Sequence, residues 1–202
     1  MSSIPSLPPA MPAALLPDTF QTARLHARRM DDTHISFIAA MHADERLMAT
    51  MGGTRTESAS RRYLLQNVEH WAEQGFGMYV LTDRASGLLA GRAGLKRTQS
   101  RGRDEVEVAY AFLPASWGKG YATEIAQALL SLGFKRLSVD ALAAVALEEN
   151  AASCRVLEKC GMRQIGGAGA GGAGKRHYEI RRAEWPLPAA DAAPGIGAKI
   201  RV

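Results

Sequence analysis

The chain of 202 residues is poor in cysteine: only Cys154 and Cys160 occur, in a segment with helical patterning. Their spacing puts them on different faces of a helix, out of disulfide reach, which excludes a disulfide-stapled fold and leaves both as packing residues. The N-terminal "MSSIPSLPPAMPAALLPD" lacks a basic region and is interrupted by Pro5, Pro8, Pro9, Pro12 and Pro17. It therefore reads neither as a signal peptide nor as a membrane span, and a cytoplasmic protein with no membrane partner is expected. Histidine is scarce too. His26, His34, His42, His70 and His177 show no metal-ligand spacing, so no metal is expected.

The charge balance is mild, at +5, with the basic residues scattered and no nucleic-acid motif among them. Such an excess suits an anionic cosubstrate, and nucleic-acid binding is the weaker reading. A hydrophobic share of 47% with 22% charged residues describes one ordinary globular domain. Two tails flank it: the proline-rich residues 1 to 18, expected to be disordered, and residues 186 to 202, "PLPAADAAPGIGAKIRV". The fold is expected between residues 19 and 185.

Within that span "ARLHARRM" alternates as a strand, and Asp31, Asp32 or Thr33 caps a helix carrying Ile35, Phe37, Ile38 and Met41. A second helix starts near Thr56 or Glu57, with Leu64, Val68 and Trp71 on one stripe, and stops at Gly75. Three strands in antiparallel succession come next, 76 to 83, 88 to 98 and 105 to 113, separated by "RASG" and "QSRGRD". A helix with Tyr121, Ile125, Leu129 and Leu132 then leads to the short apolar strand "ALAAVAL", 141 to 147. The helix of "NAASCRVLEKCGM" begins at Asn150 and ends at Gly161, and strands near 162 to 166 and 176 to 183 close the domain. The order implies an α+β fold: a mixed, mostly antiparallel central sheet with helices on both faces.

Two glycine clusters compete for attention. Gly167, Gly169 and Gly172 spell a literal G-x-G-x-x-G, but "KRHYEI" after them resumes a strand pattern where a dinucleotide site needs a helix, so a hairpin loop is the reading. In "SWGKGYATE", 116 to 124, a strand ends and a helix opens at Gly118 and Gly120. A helix start leaves N–H groups unpaired, with the positive end of the helix dipole behind them, and glycines let an anion approach the main chain. Lys119 adds charge. A P-loop is excluded, because no Ser or Thr follows the lysine and Leu113 stands where its first glycine belongs.

"EVEVAYAFLPASWGKGYATEIAQALLSLGF" followed by "NAASCRVLEKCGM" closely resembles the GNAT (GCN5-related) N-acetyltransferases, in particular their RimJ/RimL-like branch. "FQTARLHARRM" and "GLLAGRAGLKR" resemble that branch's first and third strands, so the resemblance spans roughly 19 to 183. It implies a GNAT-like sheet, acetyl-CoA as cosubstrate, an amine acceptor and, as in many such families, a possible homodimer. The family's pyrophosphate-binding pattern falls on Trp117, Gly118, Lys119, Gly120, Tyr121 and Ala122, with Thr123 beside it; Trp117 replaces the general Gln or Arg, as is usual in the branch. By the same resemblance the strand end Ala111, Phe112 and Leu113 splays from its neighbour and pairs with the pantetheine arm, and Asn150 contacts the cosubstrate. Asn150 serves equally as a helix N-cap.

The implied chemistry needs a neutral amine, a polarised thioester carbonyl and a proton for the departing thiolate. Glu107 matches the glutamate of the branch's E-[IV]-G-Y pattern, here "EVAY", and is the candidate base. It shares one strand face with Glu105 and Ala109, so a plain solvated face is the competing reading. Main-chain N–H groups near Phe112 and Leu113 are the candidates for polarising the carbonyl. Many GNAT enzymes carry a tyrosine as proton donor seven residues after the asparagine; Leu157 stands there and cannot donate. The branch's serine falls on Ser153, which either serves the thiolate or bonds back to its own helix. The expected function is acetyl transfer to a primary amine, a protein N-terminus or a small molecule. Leu157 motivates the alternative of a non-catalytic acyl-CoA-binding regulatory module. The acceptor pocket is expected from the first two helices, "MHADERLMATMGGTRT" and the glycine loop.

Overall fold

Alternating apolar residues in the first half of the chain pair as an antiparallel succession of strands. The computed structural model describes residues 15 to 166 and 174 to 186. Strands β1 (Thr19–Gln21) and β2 (Leu25–Arg29) precede helices α1 (Ile35–Ala43), α2 (Glu45–Met48) and α3 (Glu57–Gln74). Then come β3 (Met78–Asp83), β4 (Leu89–Ser100), β5 (Arg103–Phe112), α4 (Tyr121–Arg136), β6 (Ala141–Leu147), α5 (Ala151–Lys159), β7 (Arg163–Gly166) and β8 (Lys175–Arg181). One sheet joins all eight strands in the order β1-β2-β3-β4-β5-β6-β8-β7. Every pairing is antiparallel except β5 with β6.

The expected α+β arrangement is therefore present, with two additions too short for periodicity to register. β1 has three residues, and α2 is one turn capped by Asp44, which accepts from the Leu47 N–H at 2.8 Å. The N-terminal boundary also moves. Residues 15 to 18, expected in the tail, pack on the domain: Leu16 is buried, and the Pro17 carbonyl accepts from the Tyr79 hydroxyl at 2.8 Å. Residues 1 to 14, 187 to 202 and 167 to 173, with the glycines of the G-x-G-x-x-G match, lie outside the described residues. Strand β8 comes directly after that loop and pairs antiparallel with β7, as a hairpin requires.

Helices cover both faces of the sheet. On one, Ile125, Leu129 and Leu130 of α4 and Leu157 of α5 pack with Val106 and Val108 of β5. On the other, Ile38 of α1 and Leu64 of α3 pack with Met78 and Val80 of β3, and Ala109 of β5 lies against them. Both cysteines are buried and free. Among the described residues no helix is long and apolar enough to cross a membrane.

The sheet is interrupted where β5 meets β6. A single bridge, Glu107 with Ala143, joins them. Beyond it β5 stays paired with β4 as far as Phe112, and β6 with β8 as far as Leu147, so the two halves part and leave a V-shaped cleft between the strand ends.

Candidate active site

The wide end of the cleft is bounded by the turn that the glycines make. After a 3₁₀ turn at Pro114–Ser116, Gly118 and Gly120 adopt left-handed φ values of 73° and 78°. Gly120 is the N-cap of α4 and makes no side-chain cap bond, so no cap side chain takes up the first N–H groups of the helix, which begins at Tyr121. The turn is held from outside. Arg24 Nη1 donates to the Lys119 carbonyl at 2.6 Å and Arg24 Nε pairs with Glu124 at 2.7 Å. Glu124 also accepts from Thr22 Oγ1 at 2.5 Å and from the Arg24 N–H at 2.8 Å. Burial alone would raise the Glu124 carboxyl, but the bonds to Thr22 and Arg24 win and hold it below its ordinary value.

Within the expected pyrophosphate stretch, Gly118, Lys119 and Gly120 are exposed. Trp117 turns back and its indole N–H donates to the Phe112 carbonyl at 2.7 Å, clamping the turn onto β5. Tyr121 points inward, its hydroxyl donating to Asp83 at 2.5 Å, so it offers an anion only its main chain. Ala122 and Thr123, in the first turn of α4, are half-buried.

At the end of β5 the main chain sorts its donors. The Leu113 N–H is committed to the Ala90 carbonyl at 2.9 Å. Antiparallel alternation then turns the N–H groups of Phe112 and Tyr110 toward the other edge, into the cleft. Of the two N–H groups expected to polarise a carbonyl, Phe112 faces the right way and Leu113 does not. Ala111 is buried, and its side chain packs with Met41, Leu47 and Met48.

The facing wall is α5. Asn150 caps it, Oδ1 accepting from the Ser153 N–H at 3.0 Å, while Nδ2 donates to Thr50 Oγ1 at 3.2 Å on the segment after α2. The N-cap reading of Asn150 is thus realised, with its amide reaching across to the helical side. Ser153 Oγ lies 3.0 Å from the hydroxyl of Tyr110, a residue that sequence reasoning passed over although it is the last letter of "EVAY". Burial pushes the Tyr110 hydroxyl well above the ordinary tyrosine range, with the bond from Ser153 opposing. Leu157 is core.

On the opposite face of β5, Glu105 and Glu107 separate. Glu105 pairs with Arg101 at 3.0 Å and Arg103 at 3.2 Å. Glu107 sits at the apex of the V, opposite Lys96 in the β4 register, and burial raises its carboxyl above the ordinary value against the pull of Lys96. Around it lies a polar cluster that no motif announces. The Tyr63 ring lies 4.7 Å from the Arg92 Cζ, 5.5 Å from the Arg55 Cζ and 5.8 Å from the Lys96 Nζ. His42 is fully buried with Nδ1 3.0 Å from Ser60 Oγ, which itself donates to the Thr56 carbonyl. Burial first, then Arg92 and Arg55, push His42 down to about 4, so it is neutral at pH 7.

Residues 24 to 163 match the family model of the acetyltransferase (GNAT) domain. The uncharacterized protein YkkB of Bacillus subtilis (strain 168) is 29% identical over 142 residues, which cover 70% of this chain and 83% of YkkB. A putative GNAT-family acetyltransferase from Bordetella pertussis aligns with a TM-score of 0.71 at 26% identity, over 81% of this chain and 99% of that one. RimL, a ribosomal L7/L12 alpha-N-protein acetyltransferase solved in complex with coenzyme A, aligns with a TM-score of 0.66 at 15% identity, over 82% and 97% of the two chains. At that identity the likeness to RimL is one of fold.

Proposed function

This chain belongs to the GNAT family of acetyltransferases, and from that premise we propose that it transfers the acetyl group of acetyl-CoA to a primary amine. The observation that carries the reading is the parted sheet: a strand edge whose Tyr110 and Phe112 N–H groups turn away from β4 faces a cleft whose open end is the bare, N-terminal turn of α4.

The residues fit the cosubstrate piece by piece. The N–H groups after Gly118, with Lys119, hold the pyrophosphate. The edge of β5 at Tyr110 and Phe112 holds the pantetheine arm as an added strand, and Asn150 closes over it. Acetyl-CoA supplies an electrophilic thioester carbonyl and a thiolate leaving group. The Phe112 N–H polarises the carbonyl oxygen. Glu107, directly or through water, accepts the proton that the amine loses as its nitrogen bonds to the carbonyl carbon. The Ser153 hydroxyl gives its proton to the thiolate as the C–S bond breaks and is resupplied from Tyr110. The non-catalytic alternative suggested by Leu157 loses its motive once Tyr110 brings a tyrosine hydroxyl to Ser153 from β5.

The test is thermal stability with acetyl-CoA against adenosine and desulfo-CoA, followed by CoA release with a panel of amines. Amine-dependent release confirms the transferase and removes the non-catalytic reading; stabilisation without release by any amine supports the module instead. Gly120→Glu places a carboxylate in the turn and abolishes binding in a folded protein. Retained binding there refutes the site.

A further inference from the structure

The sheet face beside Glu107 carries more positive charge than the protein neutralises. Arg92 of β4 is 4% exposed, and its Nε is buried without a hydrogen-bond partner. Among the described residues no carboxylate pairs with it. Its neighbour is the Tyr63 ring, and a ring quadrupole offsets only part of the cost of a desolvated guanidinium. Arg55 and Lys96 approach the same ring, and Lys96 is held below its ordinary value by burial and by both arginines, so the three cations share one field. Glu107 is the carboxylate that opposes it. Two further polar atoms of the cluster, Tyr63 Oη and His42 Nε2, are also buried and unpartnered.

The position matters as much as the charge. Arg92 lies opposite Ala111 in the β4–β5 register, and Lys96 lies opposite Glu107. The cations therefore line the stretch of sheet between the candidate base and the end of β5, on the face covered by α1 and α3. Arg55 enters from the segment joining α2 to α3, its own N–H bound to the His42 carbonyl.

We propose, building on the transferase reading above, that this cluster is an oxoanion subsite for the acceptor, and that the acceptor is a small amine bearing a carboxylate or phosphate a few atoms from its amino group. The amine end faces Glu107 and the oxoanion faces Arg92 and Arg55. Guanidinium forks match the two oxygens of a carboxylate, and the Tyr63 hydroxyl adds a neutral donor. An unsubstituted polyamine is disfavoured, because it brings further positive charge to three cations in a site of reduced dielectric.

Product binding tests this without turnover, on the full chain. The probes are N-acetyl α-, β- and γ-amino acids and N-acetylphosphoethanolamine, each against its neutral amide or alcohol counterpart, together with N-acetylspermidine and an N-acetylated peptide amide without acidic side chains. At least one oxoanion-bearing product should bind in preference to its neutral partner, the carboxylate and phosphate arms showing which oxoanion fits. Arg55→Gln should cut that preference roughly tenfold or more in Kd, the size of one lost charge-assisted hydrogen bond. Arg92→Lys, which keeps the charge and loses the fork, should also weaken the carboxylate while leaving the acetyl-CoA shift unchanged. No oxoanion preference in any pair, a preference unmoved in both variants, or tighter binding of N-acetylspermidine or the peptide overturns the proposal. Failure of acetyl-CoA itself to stabilise the protein strikes the transferase reading and is read separately.

Discussion

A carboxylate works as a base at neutral pH best when its pKa is brought up toward that pH, and Glu107 is buried enough to be moved that way while Lys96 keeps it from moving far. Glu107→Gln keeps the shape and removes the proton acceptor, so kcat should fall by about 10²-fold or more with acetyl-CoA stabilisation unchanged. The sign of the stability effect is also set. A carboxyl raised in the folded state stabilises fully below its ordinary value of 4.5, and that contribution is lost as pH rises through the raised value. Glu107→Gln should therefore be more stable than the parent at pH 7, with the gap closing below pH 4.5; a variant less stable at pH 7 would make Glu107 a structural residue. Tyr110 and Ser153 act through one hydrogen bond, so Tyr110→Phe and Ser153→Ala should each lower kcat, and the double variant should lose little more than the worse single one. Additive losses would show independent roles. Glu107 and Ser153, as proposed base and proton donor, are the residues that the motifs single out. Tyr110 is not among them, because alternation places it on the opposite face from Glu107, and only the fold brings a residue 43 positions away within reach.

Glycines show which element-level features a sequence reveals. Gly120 announces itself, since a strand-to-helix turn with a positive φ of 78° needs it. Gly94 looks like an ordinary strand position in "GLLAGRAGLKR", but a Cβ there would stand 2.3 Å from the Gly77 carbonyl oxygen and 2.5 Å from the Met78 Cα. Those neighbours are backbone of the adjoining strand and have nowhere to go. Gly94→Ala should cost about 3 kcal/mol or more through forced separation of β3 and β4. Gly120→Ala meets only the flexible end of Arg24, at 3.4 Å, and should cost about 1–2 kcal/mol for the left-handed backbone. Denaturant midpoints should rank the two in that order, while acetyl-CoA affinity should suffer only in Gly120→Ala. Other elements follow the same division. β6 was readable as a buried apolar run although alanine is a poor strand former, because burial on both faces outweighs propensity. β1 and α2 were not, since three and four residues span too few repeats for a periodic pattern to show.

At the scale of the whole molecule the decisive feature is a sheet joined at its middle by one bridge, and no residue pattern encodes it. The resemblance of the motifs implied a splayed strand end, whereas the cationic cluster was legible only as a region: His42, Arg55 and Tyr63 fall in segments expected to build the acceptor pocket, while Arg92 comes from an element read as plain strand. A ligand that adds a strand between β5 and β6 joins two halves whose strands, among the described residues, pair only at Glu107 and Ala143, so its binding should be felt well beyond its contacts. At a hundred times its Kd acetyl-CoA should add about 2.7 kcal/mol, and the effect should weaken with rising salt because the pyrophosphate is held by charge and helix dipole. Amide exchange resolves where that energy goes. Bridging predicts slower exchange at Tyr110 and Phe112 of β5 and across Ala144 to Leu147 of β6, with β1 and β2 unaffected. Protection confined to residues 118 to 123 would mean that the nucleotide end alone is gripped, and the pantetheine arm would then have to run outside the cleft.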